Sequence, residues 1–346
     1  MRSLSELEVS GKRAFVRADL DVTIEEHRQG GERDFSSEVL TEGVLRLARL
    51  KQTVDYLLEG GDSVTIAGHI GRPIGESPSL STSRLVQAAS KLLGTDIEFQ
   101  QDIFQRPNNR VVLLENLRFF EGETTNDPEF ANRLASNADF YVNEAFGNSH
   151  REHASMVTIP RLLPAYAGLN LEREVKVLSE ALNKPAHPFT VIIGGAKIDT
   201  KIPAIKNLSS VADTILVGGV LPKEIVADSI PLPDNVEVAQ LSENGLDITT
   251  NSQERFAEII RRSNLIVWNG AMGLFEQGHS AGTKAIVVAV KDSQAFSIAG
   301  GGQTIEFLAK YNLLDSFSFV STGGGAMLAF LAGEKLQALQ VIPNQP

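Results

Sequence analysis

Short apolar runs rich in β-branched residues alternate along the chain with longer stretches whose apolar positions recur at helical spacing. Residues 14–18, 64–67, 111–114 and 140–142 read as buried strands of a first group. Residues 189–193, 214–217, 265–268, 296–298 and 317–320 read as strands of a second. Between them, residues 45–58, 83–93, 128–135 and 253–261 carry the helical pattern. Strand and helix in alternation predict an α/β fold with mainly parallel sheets and crossover helices. The stretch 172–183 is followed by Lys184-Pro185 and then Pro188, and predicts a helix with a proline-marked exit. We therefore expect two doubly wound, Rossmann-like domains, 1–171 and 186–334, joined by a hinge helix at 172–185 with a cleft between them. The polar segment 25–37 contains glycine and predicts an exposed loop.

Composition narrows the chemistry. The 346 residues suit two domains, and 42% hydrophobic with 22% charged residues is the balance of an ordered globular protein. Cysteine is absent, which excludes disulfides and thiol nucleophiles and accords with a cytoplasmic setting. No stretch approaches the roughly 18 uninterrupted apolar residues of a membrane span. A net charge of −11 argues against nucleic acid as a ligand. It leaves room for a small phosphorylated substrate held by a local group of cations.

Glycine turns follow the strands of the second half. They are Gly194-Gly195-Ala196-Lys197 with Lys201 one turn on, Asn269-Gly270-Ala271-Met272-Gly273, Gly300-Gly301-Gly302-Gln303-Thr304 and Ser321-Thr322-Gly323-Gly324-Gly325. One such glycine is most often a plain turn. Four at strand ends suggest a polyphosphate site whose backbone amides approach an anion. Neither G-x-x-x-x-G-K-[ST] nor a strand-to-helix G-x-G-x-x-G is present.

In the first half the strand ends deliver cations. Gly68-His69-Ile70-Gly71-Arg72-Pro73 follows one strand, Glu115-Asn116-Leu117-Arg118-Phe119 another, and Asn143-Glu144 through His150-Arg151 a third. Any one arginine is more often a surface ion pair. Three cationic groups on one rim would repel until an oxyanion binds. Cations in one domain and glycine turns in the other suggest phosphoryl transfer, which needs positioning, charge neutralisation and exclusion of water.

Residues 16–22, 68–73, 113–119, 141–151, 194–201, 268–276, 300–304 and 321–326 resemble the motifs of the phosphoglycerate kinase family, in the family's order and across nearly the whole chain. The resemblance implies reversible transfer between 1,3-bisphosphoglycerate and ADP, giving 3-phosphoglycerate and ATP with Mg²⁺, by a glycolytic monomer. It implies Asp19, Asp21, His69, Arg72, Arg118, His150 and Arg151 for 3-phosphoglycerate, and Arg46 and Lys201 for catalysis, with Arg49 as a rival of Arg46 in register. For the adenine nucleotide it implies Gly194, Gly195, Ala196, Lys197, Lys201, Asn269, Glu276, Gly301, Gly302 and Thr304, with Gly323 and Gly324 as phosphate turns. The tail 335–346 is expected to return to the first domain.

Three departures stand out. Gln303 replaces an aspartate that binds magnesium in the family, so no metal ligand is assigned. Asp21 replaces a usual asparagine and sets a second carboxylate beside an anion site. The chain is shorter than the family between about 219 and 244, where part of the nucleoside pocket lies, although Asn244-Gly245-Leu246-Asp247-Ile248 resembles a remnant. Ala271 for proline is milder. Three readings stay open: a working kinase with altered nucleotide or metal dependence, an impaired relative kept for binding or interaction, and a different acyl-phosphate enzyme on this scaffold.

Overall fold

A computed structural model describes residues 1–8, 11–22, 42–196 and 198–344; the segment 25–37 and Lys197 lie outside the described residues. The chain forms two compact units, Met1–Val175 with Lys335–Pro346, and Lys176–Glu334. The division falls inside the helix Leu169–Asn183, which starts three residues before the predicted 172.

The first unit is built on β1 (Arg13–Ala18), β2 (Ser63–Ala67), β3 (Glu98–Gln100), β4 (Val111–Leu114), β5 (Phe140–Glu144) and β6 (Ala165–Ala167). They form one six-stranded sheet in the order β3-β4-β2-β1-β5-β6, every pair parallel. Alternate residues of β1 face opposite layers, as a strand requires. Ala14, Val16 and Ala18 join the cluster that includes Leu47, Leu50, Val54 and Leu57, while Phe15 joins that of Phe130, Ala131, Leu134 and Ile159. The helix Pro128–Ala135 starts where predicted because Asp127 accepts the amide of Phe130 at 2.7 Å and Pro128 fills the first turn.

The second unit contains β7 (Phe189–Ile193), β8 (Thr214–Val217), β9 (Val236–Val238), β10 (Leu265–Asn269), β11 (Phe296–Gly300) and β12 (Phe319–Val320). Its sheet runs β12-β11-β10-β7-β8-β9, again wholly parallel. The central strands β7 and β10 are buried along their whole length, as expected where helices cover both faces.

The two-sheet α/β class agrees with the sequence reading, and the corrections are local. The single helix expected over 45–58 is two, Glu42–Arg49 and Lys51–Glu59, meeting at Leu50. The strand expected over 317–320 is confined to Phe319–Val320. β3, β6 and β9 were not anticipated; each has only three residues, too few for periodicity to register.

The segment Lys335–Pro346 belongs to the first unit. Ala338 is fully buried with Ala145, Met156 and Val157, and donates its amide to Ser149 O at 3.1 Å. Arg2 donates its amide to Pro343 O at 2.7 Å.

Candidate functional site

In the first unit, β4, β2, β1 and β5 are neighbours and parallel, so the segments that follow them emerge at one sheet edge. Asp19 and Asp21 follow β1, His69 and Arg72 follow β2, Arg118 follows β4, and His150 and Arg151 follow β5. Side-chain amides and carboxylates tie these exits together. Asn116 donates to Ile70 O at 2.9 Å and Leu80 O at 2.8 Å, and accepts the amide of Arg118 at 3.0 Å. Arg118 donates to Gly71 O, and Asp21 accepts the amide of Gly71 at 2.8 Å. Arg46, from the helix Glu42–Arg49, donates to Asp21 O at 2.9 Å and approaches Asp19 Oδ1 at 3.4 Å. Arg49 is turned elsewhere: burial lowers its pKa, and the charges acting on it are Glu174 and Arg173.

The rim is crowded with positive charge. Burial, then Arg151 and Arg17, lower Arg118 to about 10, with Asp21 opposing and Arg72 adding to the shift. Burial and then Arg72 lower Arg151, again against Asp21. The Nε of Arg151 is buried and has no hydrogen-bond partner among the described residues. Arg72 and His150 are exposed at the same edge. Cations in such proximity, one with an orphaned donor, match an oxyanion ligand.

Beneath the rim lies a buried polar chain that the sequence reading missed. Arg17 is fully buried on β1, on the face it shares with Phe15. Its Nε donates to Ser155 Oγ at 2.7 Å, one Nη to Ala18 O, and the other lies 2.9 Å from His69 Nδ1. Ser155 donates its hydroxyl to Glu123 at 2.6 Å and its amide at 3.0 Å. His153 Nδ1 stands 3.6 Å from the same carboxylate. Burial alone would raise the pKa of Glu123; His153, Arg17 and Ser155 together hold it below the usual value. The signal available in the sequence was Arg17 at a core-facing position of an apolar strand, since a buried charge demands a partner.

In the second unit the turns after β7, β8, β10, β11 and β12 also share one edge. Three of the amides in these turns have partners within the fold. The amides of Gly194 and Gly195 donate to Asn269 O at 3.0 Å and Ala271 O at 2.7 Å, and that of Gly270 to Thr304 Oγ1 at 2.7 Å. These donors are already used inside the fold. The glycines also permit close packing: a Cβ on Gly270, whose φ is +105°, would lie 2.1 Å from Gly194 O. The amides that open the helix Gly302–Lys310 are better placed for an anion, because Gly301 offers no side-chain cap.

Lys201 donates to Asn269 Oδ1, while Asn269 Nδ2 is buried with no partner among the described residues. Glu276, exposed, accepts the side-chain amide of Gln303 at 3.1 Å. Thr304 is fully buried and committed to Gly270. Gly323 donates to Ser321 Oγ at 3.2 Å, Gly324 takes a φ of +52°, and Ala196 is exposed.

The profile of the family described as phosphoglycerate kinase matches residues 4–230 and 220–334. The overlap at 220–230 lies where the sequence reading places the shortening. The phosphoglycerate kinase of Rubrobacter xylanophilus is 35% identical over 399 aligned positions, spanning 99% of this chain and 98% of that protein. That of Thermosipho africanus is 35% identical over 405 positions with the same coverage. Among solved structures, the Coxiella burnetii phosphoglycerate kinase superposes with a TM-score of 0.79 at 30% identity, covering 98% of both chains. The Pyrococcus horikoshii enzyme gives 0.84 at 26% identity, covering 99% of this chain and 98% of that one. With a family profile spanning nearly its whole length and full-length relatives above 30% identity, this chain belongs to the phosphoglycerate kinase family.

Proposed function

We propose that the chain catalyses reversible phosphoryl transfer between 1,3-bisphosphoglycerate and ADP, with 3-phosphoglycerate held by the first unit and the adenine nucleotide by the second. The observation that carries this reading is the cationic rim, where Arg118 is lowered to about 10 among Arg151, Arg17 and Arg72, and Arg151 keeps an orphaned Nε. His69, Arg72, Arg118 and Arg151 hold the glycerate phosphate, and Asp19 orients Arg46. Arg46 and Lys201 spread the charge of the migrating phosphoryl group. Asn269 orients Lys201, and the head of the helix Gly302–Lys310 receives a nucleotide phosphate.

The family's reaction uses magnesium with the nucleotide, and the residues at this turn do not fit a protein-anchored dication. Among the described residues no three His, Cys, Asp or Glu side chains converge on a metal position. Gln303 is neutral and already gives its amide to Glu276. A hard dication prefers charged oxygen ligands.

One observation favours a second reading, an impaired relative that keeps metabolite binding. The Gln303–Glu276 bond engages a side chain expected near the nucleoside, in a unit shortened at that end. A coupled assay with ATP, 3-phosphoglycerate and Mg²⁺, beside calorimetry of each ligand, separates the two. Turnover supports the kinase. Glycerate binding without nucleotide binding or turnover supports the second reading.

A further inference from the structure

We propose that Glu123, Ser155 and Arg17 are positioning residues that fix His69 as a neutral imidazole with its proton on Nε2. The substrate rim thereby receives a directed hydrogen-bond donor in place of a titrating cation. The inference deepens the functional reading above and rests on it only for the identity of the ligand.

The donors and acceptors can be assigned along the whole chain of contacts. An arginine guanidinium has no acceptor and does not lose its proton in proteins. At 2.9 Å from Arg17 Nη2, His69 Nδ1 must therefore accept, which leaves the ring proton on Nε2. Arg17 cannot turn away, because its Nε is held by Ser155 Oγ and its other Nη by Ala18 O. The Ser155 hydroxyl accepts from Arg17, so its single proton goes to Glu123 at 2.6 Å. Glu123 accepts the Ser155 amide as well and supplies the negative charge a fully buried guanidinium requires. Each link has one permitted direction, and the last determines the tautomer.

The surroundings oppose a second proton on His69. The ring is 2% exposed, and the groups acting on it are Arg17 on β1, Arg118 after β4, and Arg151 and His153 after β5. Burial first, then those neighbours, hold His69 well below its ordinary pKa. Protonating Nδ1 would set two donors head-on at 2.9 Å. Nitrogen Nε2 is then the donor left to a ligand. Register places the device: Arg17 pairs with Ala67 on one side and Asn143 on the other, directly beneath the exits that carry His69 and Arg151.

The test is ¹⁵N-edited NMR of the histidine rings in the full chain, combined with kinetics. In the wild type, His69 should show the Nε2–H tautomer, unchanged between about pH 5.5 and 8. Ser155→Ala and Glu123→Gln should mix the tautomers. Each should raise KM for 3-phosphoglycerate about tenfold while kcat changes less than about threefold. Adding Glu123→Gln to His69→Gln should cost no further KM. A wild-type His69 that is protonated, or carries its proton on Nδ1, overturns the proposal without reference to any variant. So does an unchanged tautomer in both variants. The spectrum needs no turnover, so an inactive wild type with the expected tautomer sinks the kinase reading and leaves this assignment standing.

Discussion

Asp21 Oδ1 accepts the backbone N–H of Gly71 at 2.8 Å, tying the exit of β1 to the loop that carries Arg72. The carboxylate that departs from the family's usual asparagine is thus partnered, and it also offsets the charge of Arg118 and Arg151. An asparagine could keep the Gly71 bond through its carbonyl oxygen. Asp21→Asn should therefore leave unfolding midpoints unchanged and tighten 3-phosphoglycerate binding about threefold, because one negative charge leaves an anion site. Calorimetry measures this; weaker binding would show that Asp21 orders the cations more than it repels the ligand.

Arg46 and Arg49 lie one helical turn apart but act in different places. Arg46 reaches Asp19 and the carbonyl of Asp21, whereas Arg49 answers to Glu174 and Arg173. We expect Arg46→Ala to lower kcat by about 100-fold or more with KM within about threefold. Arg49→Ala should retain turnover and lose stability. The reverse pattern in steady-state kinetics would transfer the catalytic role to Arg49.

Gln303 predicts an unusual metal response. With its amide on Glu276, wild-type nucleotide affinity should differ less than about threefold between Mg²⁺ and EDTA. Gln303→Asp would set a second carboxylate by Glu276, weakening metal-free binding and making affinity rise steeply with Mg²⁺. Matching titrations for the two proteins would remove the idea.

Glu144 gives the stability curve a sign. It is fully buried at the end of β5 and accepts the amides of Asn170 and Leu171 at 3.1 Å, together with the Thr53 hydroxyl. Burial raises it from 4.5 to about 7 against those bonds. Across that window the folded chain keeps a proton that the unfolded chain has released. This contribution is therefore complete in acid and is lost as pH rises through 7. Wild type should lose up to about 3 kcal/mol over the window relative to Glu144→Gln. Urea unfolding of both proteins at several pH values reads the difference, and parallel profiles would refute it.

Gly270→Ala tests the interlocked turns of the second unit. The added methyl would meet Gly194 O at 2.1 Å on a backbone with φ of +105°. Clash and strain together should cost about 3 kcal/mol or more, seen as a lower melting temperature. Gly245→Ala, with positive φ but open space around it, should cost only about 1 kcal/mol.

The α/β class was legible because strands such as β7 and β10 are apolar throughout and are separated by patterned helices. That alternation alone implied that His69, Arg118 and Arg151 would follow parallel strands on one rim; which strands are neighbours, with β1 between β2 and β5, is known only from the folded sheet. The Glu123–Ser155–Arg17 chain was hidden for a physical reason. Its links join residues 32 and 138 positions apart, and only the folded sheet brings them together. The glycine turns are ambiguous in sequence: glycine permits an anion's approach and the approach of another backbone equally, and at Gly194 and Gly270 backbone lies close.

Because Lys335–Pro346 completes the unit begun by Met1–Val175, the fold is nested, with the second unit inserted into the first. On a ribosome, residues 176–334 emerge in full before Ala338 can reach its place beside Ala145 and Met156. The inserted unit can therefore mature first, and the segment that seals the first unit is translated after it.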